Sequence, residues 1–220
     1  MGFNIAIDGP AGAGKSTIAK QVAKKLGFIY VDTGAMYRAL AYYFVKAGLD
    51  YEDKEMVERE AHKAIVTLGF ENGEQCVFLN GENVNAYIRT EEVSKAASKT
   101  SSYPKIRELL LNLQKDMAEK EDVVMDGRDI GTVVLPNAEC KIYLTASVEE
   151  RANRRYKEYI AKGENVDLEE IKTDIASRDY QDMHRDISPL KQADDAYFLD
   201  SSDMTIEQVK DRIIELSGRK

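Results

Sequence analysis

A chain of 220 residues with 43% hydrophobic and 32% charged residues has the composition of an ordinary globular protein, long enough for one sizeable core with inserted subdomains. A formal net charge of −8 argues against a general nucleic-acid-binding protein, although a few converging arginines can still bind small phosphorylated molecules. The sequence contains no apolar run of about 18 residues and begins with a core strand rather than a signal peptide, so we expect no membrane association.

A glycine-rich segment near the start lies between a predicted strand and a predicted helix. The apolar run 3–8 is typical of a strand buried on both faces, and the apolar positions after Lys15 favour a helix to Leu26, with Gly27 as its stop. Between them, residues 9–16 have the pattern G-x-x-x-x-G-K-S of a phosphate-binding loop. The glycines let backbone N–H groups surround an anion, and the next helix directs its N-terminal partial charge at it.

This loop predicts a nucleoside triphosphate site. Lys15 can reach the β- and γ-phosphates, and the Ser16 hydroxyl can hold Mg²⁺. A flexible glycine-rich turn is the alternative, but the flanking strand and helix disfavour it. The residues expected to contact ATP are Gly9, Pro10, Ala11, Gly12, Ala13, Gly14, Lys15, Ser16 and Thr17.

A second predicted strand, 28–31, follows so closely that it indicates a parallel α/β sheet with right-handed crossovers. Substrates then lie at the carboxyl ends of the strands. Asp32 or Thr33 can cap the next helix, which carries Arg38 in its early turns. Arg38 is either a solvated helix residue or a phosphate clamp for a second substrate.

The composition then changes. A charged helix is predicted over 52–68, and two Asn-Gly turn signals, Asn72-Gly73 and Asn80-Gly81, follow around a short β-prone run. These signals predict a hairpin or small meander rather than another strand–helix–strand unit. We interpret 60–102 as an insertion, which carries either acceptor specificity or structure alone.

A helix is predicted from Pro104 to Lys120. Its expected core-facing residues are Ile106, Leu109, Leu110 and Leu113. Arg107 lies off that face and is expected to be free to point at a cleft.

The next predicted strand ends at Asp126 and leads into a loop with Arg128 and Asp129. Asp126 either forms a structural hydrogen bond to the phosphate loop or helix cap, or orients the groups that bind Mg²⁺ without contacting the metal itself. Arg128 and Asp129 either form a local surface ion pair or lie beside the phosphate loop.

Two charged helices follow a strand at 141–144. The first presents three arginines on one face: Arg151, Arg154 and Arg155. The second is predicted from Leu168 to His184, and one face carries Arg178, Asp182 and Arg185. Such a stretch is by default a solvated, salt-bridged helix pair, but it also fits a lid over 148–188 that closes on phosphates. A strand at 197–200 and a closing helix complete the chain.

The two cysteines, Cys76 and Cys140, are far apart and have no Cys or His at ligand spacing. A disulfide is conceivable, but two isolated apolar side chains in a reducing compartment are the expectation. His62 and His184 cannot make a metal site alone, so both are expected at the surface.

Arginines on four predicted elements near one triphosphate site favour a kinase. Transfer to a second phosphorylated molecule needs several cations, because two anionic substrates must be aligned and the transferring charge stabilised. A kinase of a different acceptor remains open, as does a nucleotide-dependent switch. A guanine-specific switch would carry Asn-Lys-x-Asp, and the sequence contains no Asn-Lys pair.

Segments in the same order along nearly the whole chain resemble the bacterial cytidylate kinase family. They are IAIDGPAGAGKST (5–17), DTGAMYR (32–38), DGRDIGTVV (126–134), EERANRR (149–155), Arg178-Asp179, SPL (188–190), and the ending from Asp200-Ser201-Ser202 to Ile206-Glu207. The resemblance implies a three-layer P-loop kinase fold: one α/β domain over 1–220 with a central parallel sheet, a small inserted α+β monophosphate-binding subdomain (60–102) and a helical lid (148–188). It also implies phosphoryl transfer from ATP, with Mg²⁺, to CMP or dCMP by a cytoplasmic monomer.

The resemblance also implies residue roles. Contacts to cytosine are implied for Ser98, Arg107 and Asp129. Contacts to the acceptor phosphate are implied for Arg38 and Arg128, with Thr33 nearby, where the family often has serine. Ribose contacts and lid closure are implied for Arg178, Asp182 and Arg185. The catalytic set is expected to be Lys15, Arg128, Arg155 and Arg178, with Arg155 the expected phosphate contact among the three arginines of the first lid helix. A carboxylate with an arginine suits cytosine, which offers a donor at N4 and acceptors at N3 and O2.

Overall fold

The structure, a computed structural model, describes residues 2–71 and 74–219. Its strands are β1 (Asn4–Asp8), β2 (Ile29–Asp32), β3 (Val66–Glu71), β4 (Glu74–Leu79), β5 (Glu82–Asn83), β6 (Val123–Gly127), β7 (Cys140–Thr145) and β8 (Tyr197–Asp200). Its α-helices are α1 (Lys15–Leu26), α2 (Thr33–Lys46), α3 (Lys54–Glu60), α4 (Glu91–Thr100), α5 (Pro104–Lys120), α6 (Val148–Ala161), α7 (Leu168–His184) and α8 (Ile206–Ser217). A 3₁₀ turn (Ala61–Lys63) follows α3, and a π-helical turn (Ile130–Val134) follows β6.

The central sheet has five strands in the order β2-β6-β1-β7-β8. Strand β7 runs parallel to β1 on one side and to β8 on the other, and Ile5 pairs with Cys140 and Ile142 with Tyr197. Ile5, Ala6 and Ile7 have no solvent exposure, as expected for a strand covered on both faces. The prediction of an α/β fold around a parallel sheet is confirmed.

The chain divides into two compact units, which we describe separately. Among the described residues, the first contains Gly2 and those of 29–123, and the second contains Phe3–Phe28 and 124–219.

In the first unit, α2 packs against α4 and α5, and a second sheet has the antiparallel order β3-β4-β5. The turn between β4 and β5 places Asn80 and Gly81 at positive φ, 50° and 83°, which a tight hairpin turn of the I′ type requires. The predicted meander is therefore present. The other turn signal, Asn72-Gly73, lies outside the described residues.

Two predictions in the first unit are wrong. The charged helix expected over 52–68 is shorter, because α3 ends at Glu60 and Val66 already pairs with Leu79 of β4. Leu109, expected to face the core, is 37% exposed, and the buried face of α5 instead includes Ile106, Leu110 and Ala118.

In the second unit, α1 packs against α8, and α6 packs against α7. The α6–α7 contact is apolar, with Ala152, Ile171 and Ile175 buried at its centre. The Asp167 carboxylate caps α7 by accepting from the N–H groups of Glu169 and Glu170. Helices α6 and α7 were both predicted, and α7 has the predicted bounds.

Both cysteines are buried free thiols, and burial raises the pKa of Cys140 to about 11. Over the described parts of the chain, none of the helices combines the length and apolarity needed to cross a membrane.

Candidate active site

The phosphate loop connects β1 to α1 and depends on its glycines. A Cβ atom on Gly9 would lie 1.9 Å from the carbonyl oxygen of Leu144, a distance that no side chain tolerates. Gly14 is the N-cap residue of α1 and has no side chain that could accept the first N–H groups of the helix. The start of α1 is therefore arranged as an anion site, as the sequence pattern predicts.

Lys15 lies buried in this loop with its charge poorly compensated. Its Nζ donates to the carbonyl oxygen of Pro10 at 2.7 Å. Burial lowers the pKa of Lys15 to about 7, and the positive charge of Arg128 acts in the same direction. The carboxylates of Asp126, Asp182 and Asp8 oppose this shift only in part. A polyphosphate at the loop would supply the missing negative charge.

Ser16 joins the loop to the end of β6. Its hydroxyl donates to Oδ2 of Asp126 at 2.9 Å, so the bond between Asp126 and the loop that the sequence left open is present. This bond uses the hydroxyl proton and leaves an oxygen lone pair of Ser16 for a cation. Hydroxyl and carboxylate oxygens are the kind of ligand that Mg²⁺ prefers.

Asp8, at the carboxyl end of β1, holds the π-helical turn. Its two carboxylate oxygens accept from the N–H groups of Ile130 at 2.8 Å and Gly131 at 2.7 Å. Burial raises the pKa of Asp8 to about 6 although these two bonds oppose the shift. The turn directly follows Asp129, so Asp8 fixes the backbone that carries Asp129.

Arg128, Asp129, Asp182 and Arg185 form one charged cluster. Arg128 donates from Nε to Oδ2 of Asp182 at 2.7 Å, and Arg185 lies 3.8 Å from Asp182 and 3.7 Å from Asp129. Burial opposes ionisation of Asp182, but Arg128, with Arg185 and Arg178, outweighs it and holds the pKa of this carboxyl below its usual value. Asp129 is buried, so the alternative of an exposed surface pair between Arg128 and Asp129 does not apply.

The three arginines of α6 have different surroundings. Arg151 is buried and donates to the carbonyl oxygen of Ala11 in the phosphate loop at 2.9 Å. Arg154 donates to Ser201, and its Nη1 would lie 4.0 Å from a Cβ on Gly14. Arg155 donates to the hydroxyl of Tyr159 on its own helix. Arg151 and Arg154 therefore lie against the loop, while the phosphate contact expected of Arg155 stays a prediction.

In the first unit, the predicted phosphate residues cluster around Asp32. This carboxylate caps α2 through the N–H of Ala35 and pairs with Arg38 at 3.1 Å. The Nε atom of Arg38 has no hydrogen-bond partner among the described residues, although it is buried. Arg89 also reaches Asp32, at 3.5 Å, and is 65% exposed. Thr33 follows directly and is buried.

Arg107 is buried rather than solvent-exposed. Its Nη1 donates to the carbonyl oxygen of Ser101 at 3.2 Å, and its guanidinium lies 5.5 Å from the centre of the Tyr37 ring. The contact with a base that the resemblance implies for Arg107 stays a prediction. Ser98, on α4, is half-buried, and its carbonyl oxygen accepts from the Ser101 hydroxyl.

Sequence reasoning missed several residues of these clusters. Asp8 had a signal, because a carboxylate that ends a buried strand before a phosphate loop lies where parallel strands place their functional groups. Asp179, which pairs with Arg151 at 2.7 Å, lies in the Arg178-Asp179 segment that resembles the family, but that segment did not indicate its partner. Arg89 had no signal, since its partner is remote in the sequence.

Comparison with known proteins identifies relatives over nearly the full chain. The sequence model of the cytidylate kinase family matches residues 5–219. A cytidylate kinase from Listeria welshimeri is 52% identical over 217 residues, which cover 98% of this chain and 96% of that protein. A cytidylate kinase from Lactobacillus johnsonii is 49% identical over 218 residues, covering 99% and 95%. The crystal structure of an uncharacterized protein from Eubacterium ventriosum shares the fold, with a TM-score of 0.55, 13% identity and 99% coverage of both chains.

Proposed function

This chain belongs to the cytidylate kinase family, and we propose that it transfers the γ-phosphoryl group of Mg·ATP directly to CMP or dCMP, giving CDP or dCDP. The match of the family over residues 5–219 carries the proposal. The binding of ATP as donor is supported by Lys15, which is buried beside the N–H groups of the phosphate loop and whose positive charge is only partly balanced by carboxylates. This arrangement favours a polyphosphate.

On the donor side, residues Gly9 to Thr17 hold the phosphates of ATP. Lys15 follows the charge that moves between the β- and γ-phosphates, and a preorganised cation is most effective there because the site excludes water. Ser16 would hold Mg²⁺, and Asp126 orients the Ser16 hydroxyl by accepting its proton in a hydrogen bond. When bound, the metal neutralises developing charge on the phosphates.

On the acceptor side, the resemblance to the family implies the residue roles. Thr33, Arg38 and Arg128 are proposed for the phosphate, and Ser98, Arg107 and Asp129 for the base. Arg178, Asp182 and Arg185 are proposed for the ribose and lid closure. The buried Nε of Arg38 supports its role, since a phosphate oxygen would satisfy this donor.

Phosphoryl transfer between these substrates requires positioning more than proton transfer. The acceptor phosphate is already anionic and attacks without a general base. Arg128, Arg178 and Arg155 stabilise charge on the transferring group, and closure of a lid over 148–188 excludes the water that would otherwise hydrolyse ATP. We also propose that residues 60–102 form the monophosphate-binding subdomain. The protein is proposed to be a monomer in the cytoplasm.

An acceptor panel tests the proposal. ADP formation from Mg·ATP is measured with CMP, dCMP, UMP, AMP and GMP offered separately. We expect CMP and dCMP to be preferred, because the N4 amino group of cytosine can donate to the Asp129 carboxylate whereas O4 of uracil cannot, a difference of about 1–3 kcal/mol. Preference for another acceptor would overturn the cytosine assignment, and ADP formation independent of any acceptor would overturn the kinase.

A further inference from the structure

A buried ion pair joins the two lid helices beneath the phosphate loop. Arg151 of α6 pairs with Asp179 of α7 at 2.7 Å, and both side chains are largely shielded, with 4% and 11% exposed. Burying two charges costs several kcal/mol each, so such a pair is weak evidence for stability by itself. The other hydrogen bonds of this pair reach the phosphate loop.

The bonds of this pair converge on the backbone of Ala11. Arg151 donates from Nη1 to the Ala11 carbonyl oxygen at 2.9 Å and from Nε to the Ala146 carbonyl oxygen at 2.9 Å. Oδ1 of Asp179 accepts from the Ala11 N–H at 3.4 Å. The pair therefore engages both backbone groups of one loop residue, and Arg151 carries the shorter bonds.

The next loop residue packs directly on the same arginine. A Cβ on Gly12 would lie 3.4 Å from the Cβ of Arg151, and Gly12 has a φ of +75°. The first turn of the phosphate loop therefore rests on the Arg151 side chain, whose planar guanidinium is held at three points.

One helical turn beyond Asp179, α7 is also fixed to the loop after β6. Asp182 accepts from Nε of Arg128 at 2.7 Å. Helix α7 is thus bonded at Asp179 to the phosphate loop and at Asp182 to Arg128, the residue proposed to hold the acceptor phosphate. Of these two carboxylates, Asp179 is the one that contacts the phosphate loop, which is proposed to bind the donor ATP.

We infer that Arg151 and Asp179 are positioning residues of the phosphate loop, which hold Ala11 and Gly12 in the conformation that binds ATP. Their hydrogen bonds described above are made to the phosphate loop, to Ala146 and to each other. Loss of the pair should therefore weaken donor binding selectively. The inference rests on the proposed function only in taking ATP as the donor.

Two variants test it against a matched control. Asp179→Asn keeps the shape but removes the charge that orients Arg151, and Arg151→Lys keeps the charge but cannot reach three partners at once. Asp174→Asn makes the same chemical change at an exposed position of α7. Isothermal titration with Mg·ATP in the absence of CMP gives the dissociation constant for the donor, and initial rates give KM for CMP and kcat.

We expect the dissociation constant for ATP to rise about tenfold in Asp179→Asn and Arg151→Lys, with KM for CMP changed less than about twofold and Asp174→Asn like the wild type. Unchanged ATP binding, or equal weakening of both substrates, would overturn the inference. If Asp179→Asn does not fold, Arg151→Lys decides, and if neither folds the pair is structural and the inference fails. If the wild type binds ATP but does not phosphorylate CMP, the proposed function fails. The comparison of ATP dissociation constants between wild type and variants still tests the positioning role of Arg151 and Asp179.

Discussion

Replacing Lys15 with arginine changes which protonation states the phosphate loop can adopt. Burial, helped by Arg128, lowers the pKa of Lys15 to about 7. The negative charges of bound ATP favour the ammonium form and return this pKa towards its ordinary value of about 10.4. Arginine at the same position stays protonated throughout. Binding of ATP to the wild type should therefore take up a proton at Lys15, and binding to Lys15→Arg should not.

The size of the uptake follows from the lowered pKa. With a pKa of about 7, roughly a tenth of Lys15 is neutral at pH 6, about half at pH 7 and about nine tenths at pH 8. Proton uptake per bound ATP should rise in the same proportion. Because binding consumes this proton, the affinity for ATP should fall by up to about tenfold for each pH unit above 7.

Isothermal titration with Mg·ATP in two buffers of different ionisation enthalpy measures the uptake at each pH. The value at pH 8 is the most informative, because Asp8, with a pKa raised to about 6, contributes little there. Lys15→Arg is the control, since it keeps the positive charge but does not titrate. An uptake below about 0.2 proton at pH 8, or an equal uptake in the arginine variant, would refute the reasoning.

Four further substitutions have expected outcomes. Asp129→Ala should lower kcat/KM for CMP and narrow its advantage over UMP by about 1–3 kcal/mol, and an unchanged ratio in initial-rate assays would contradict the pairing with cytosine. Asp182→Asn should raise KM for CMP more than KM for dCMP, whereas equal rises would argue against a contact with the ribose 2′-hydroxyl. Ile142→Ala, at a side chain 1% exposed in β7, should lower the free energy of unfolding by about 2–5 kcal/mol in a urea titration. Leu109→Ala, at a partly exposed position, should cost about 1 kcal/mol or less, and equal losses would contradict the assignment of the core.

Elements with strong local signals could be predicted from the sequence. Helix α1 has the predicted bounds, because a glycine-rich loop precedes it and Gly27 ends it in the left-handed conformation. Helix α7 also has the predicted bounds, and the Asp167 cap explains why it begins where it does. In both cases the information lies within a few residues of the helix end.

Elements that depend on remote partners could not be predicted. The first residues after α3 are compatible with a helix, but Val66 and Leu68 belong to β3, where they pair with Leu79 and Val77. Tertiary pairing of this kind overrides local helix propensity. The error therefore falls where a helix gives way to a hairpin.

The candidate site shows the same division. The motif identified Lys15 and Ser16, because the chemistry of the loop is local. The burial of Arg107 depends on contacts with Ser101 and Tyr37, and periodicity along α5 gave no indication of them. Which arginine of α6 reaches the phosphate loop depends on the packing of α6 against other elements, which the sequence pattern does not specify.

The buried carboxylate of Asp8 has a thermodynamic consequence for the whole protein. Burial raises its pKa to about 6, against an ordinary value of 3.8. Between these two values the folded chain binds a proton that the unfolded chain does not. This group therefore adds stability as the pH falls from 7 towards 4, and keeping it ionised at neutral pH costs about 3 kcal/mol.

Protonation of Asp8 would also weaken the two bonds that hold Ile130 and Gly131. Protonation of Asp8 in mild acid thus has two opposite effects. It raises the free energy of unfolding, and it weakens the hydrogen bonds that order the turn after Asp129. A thermal-shift screen that ranks buffers by melting temperature would, through this one residue, select conditions in which the folded protein is more stable and its turn less well ordered.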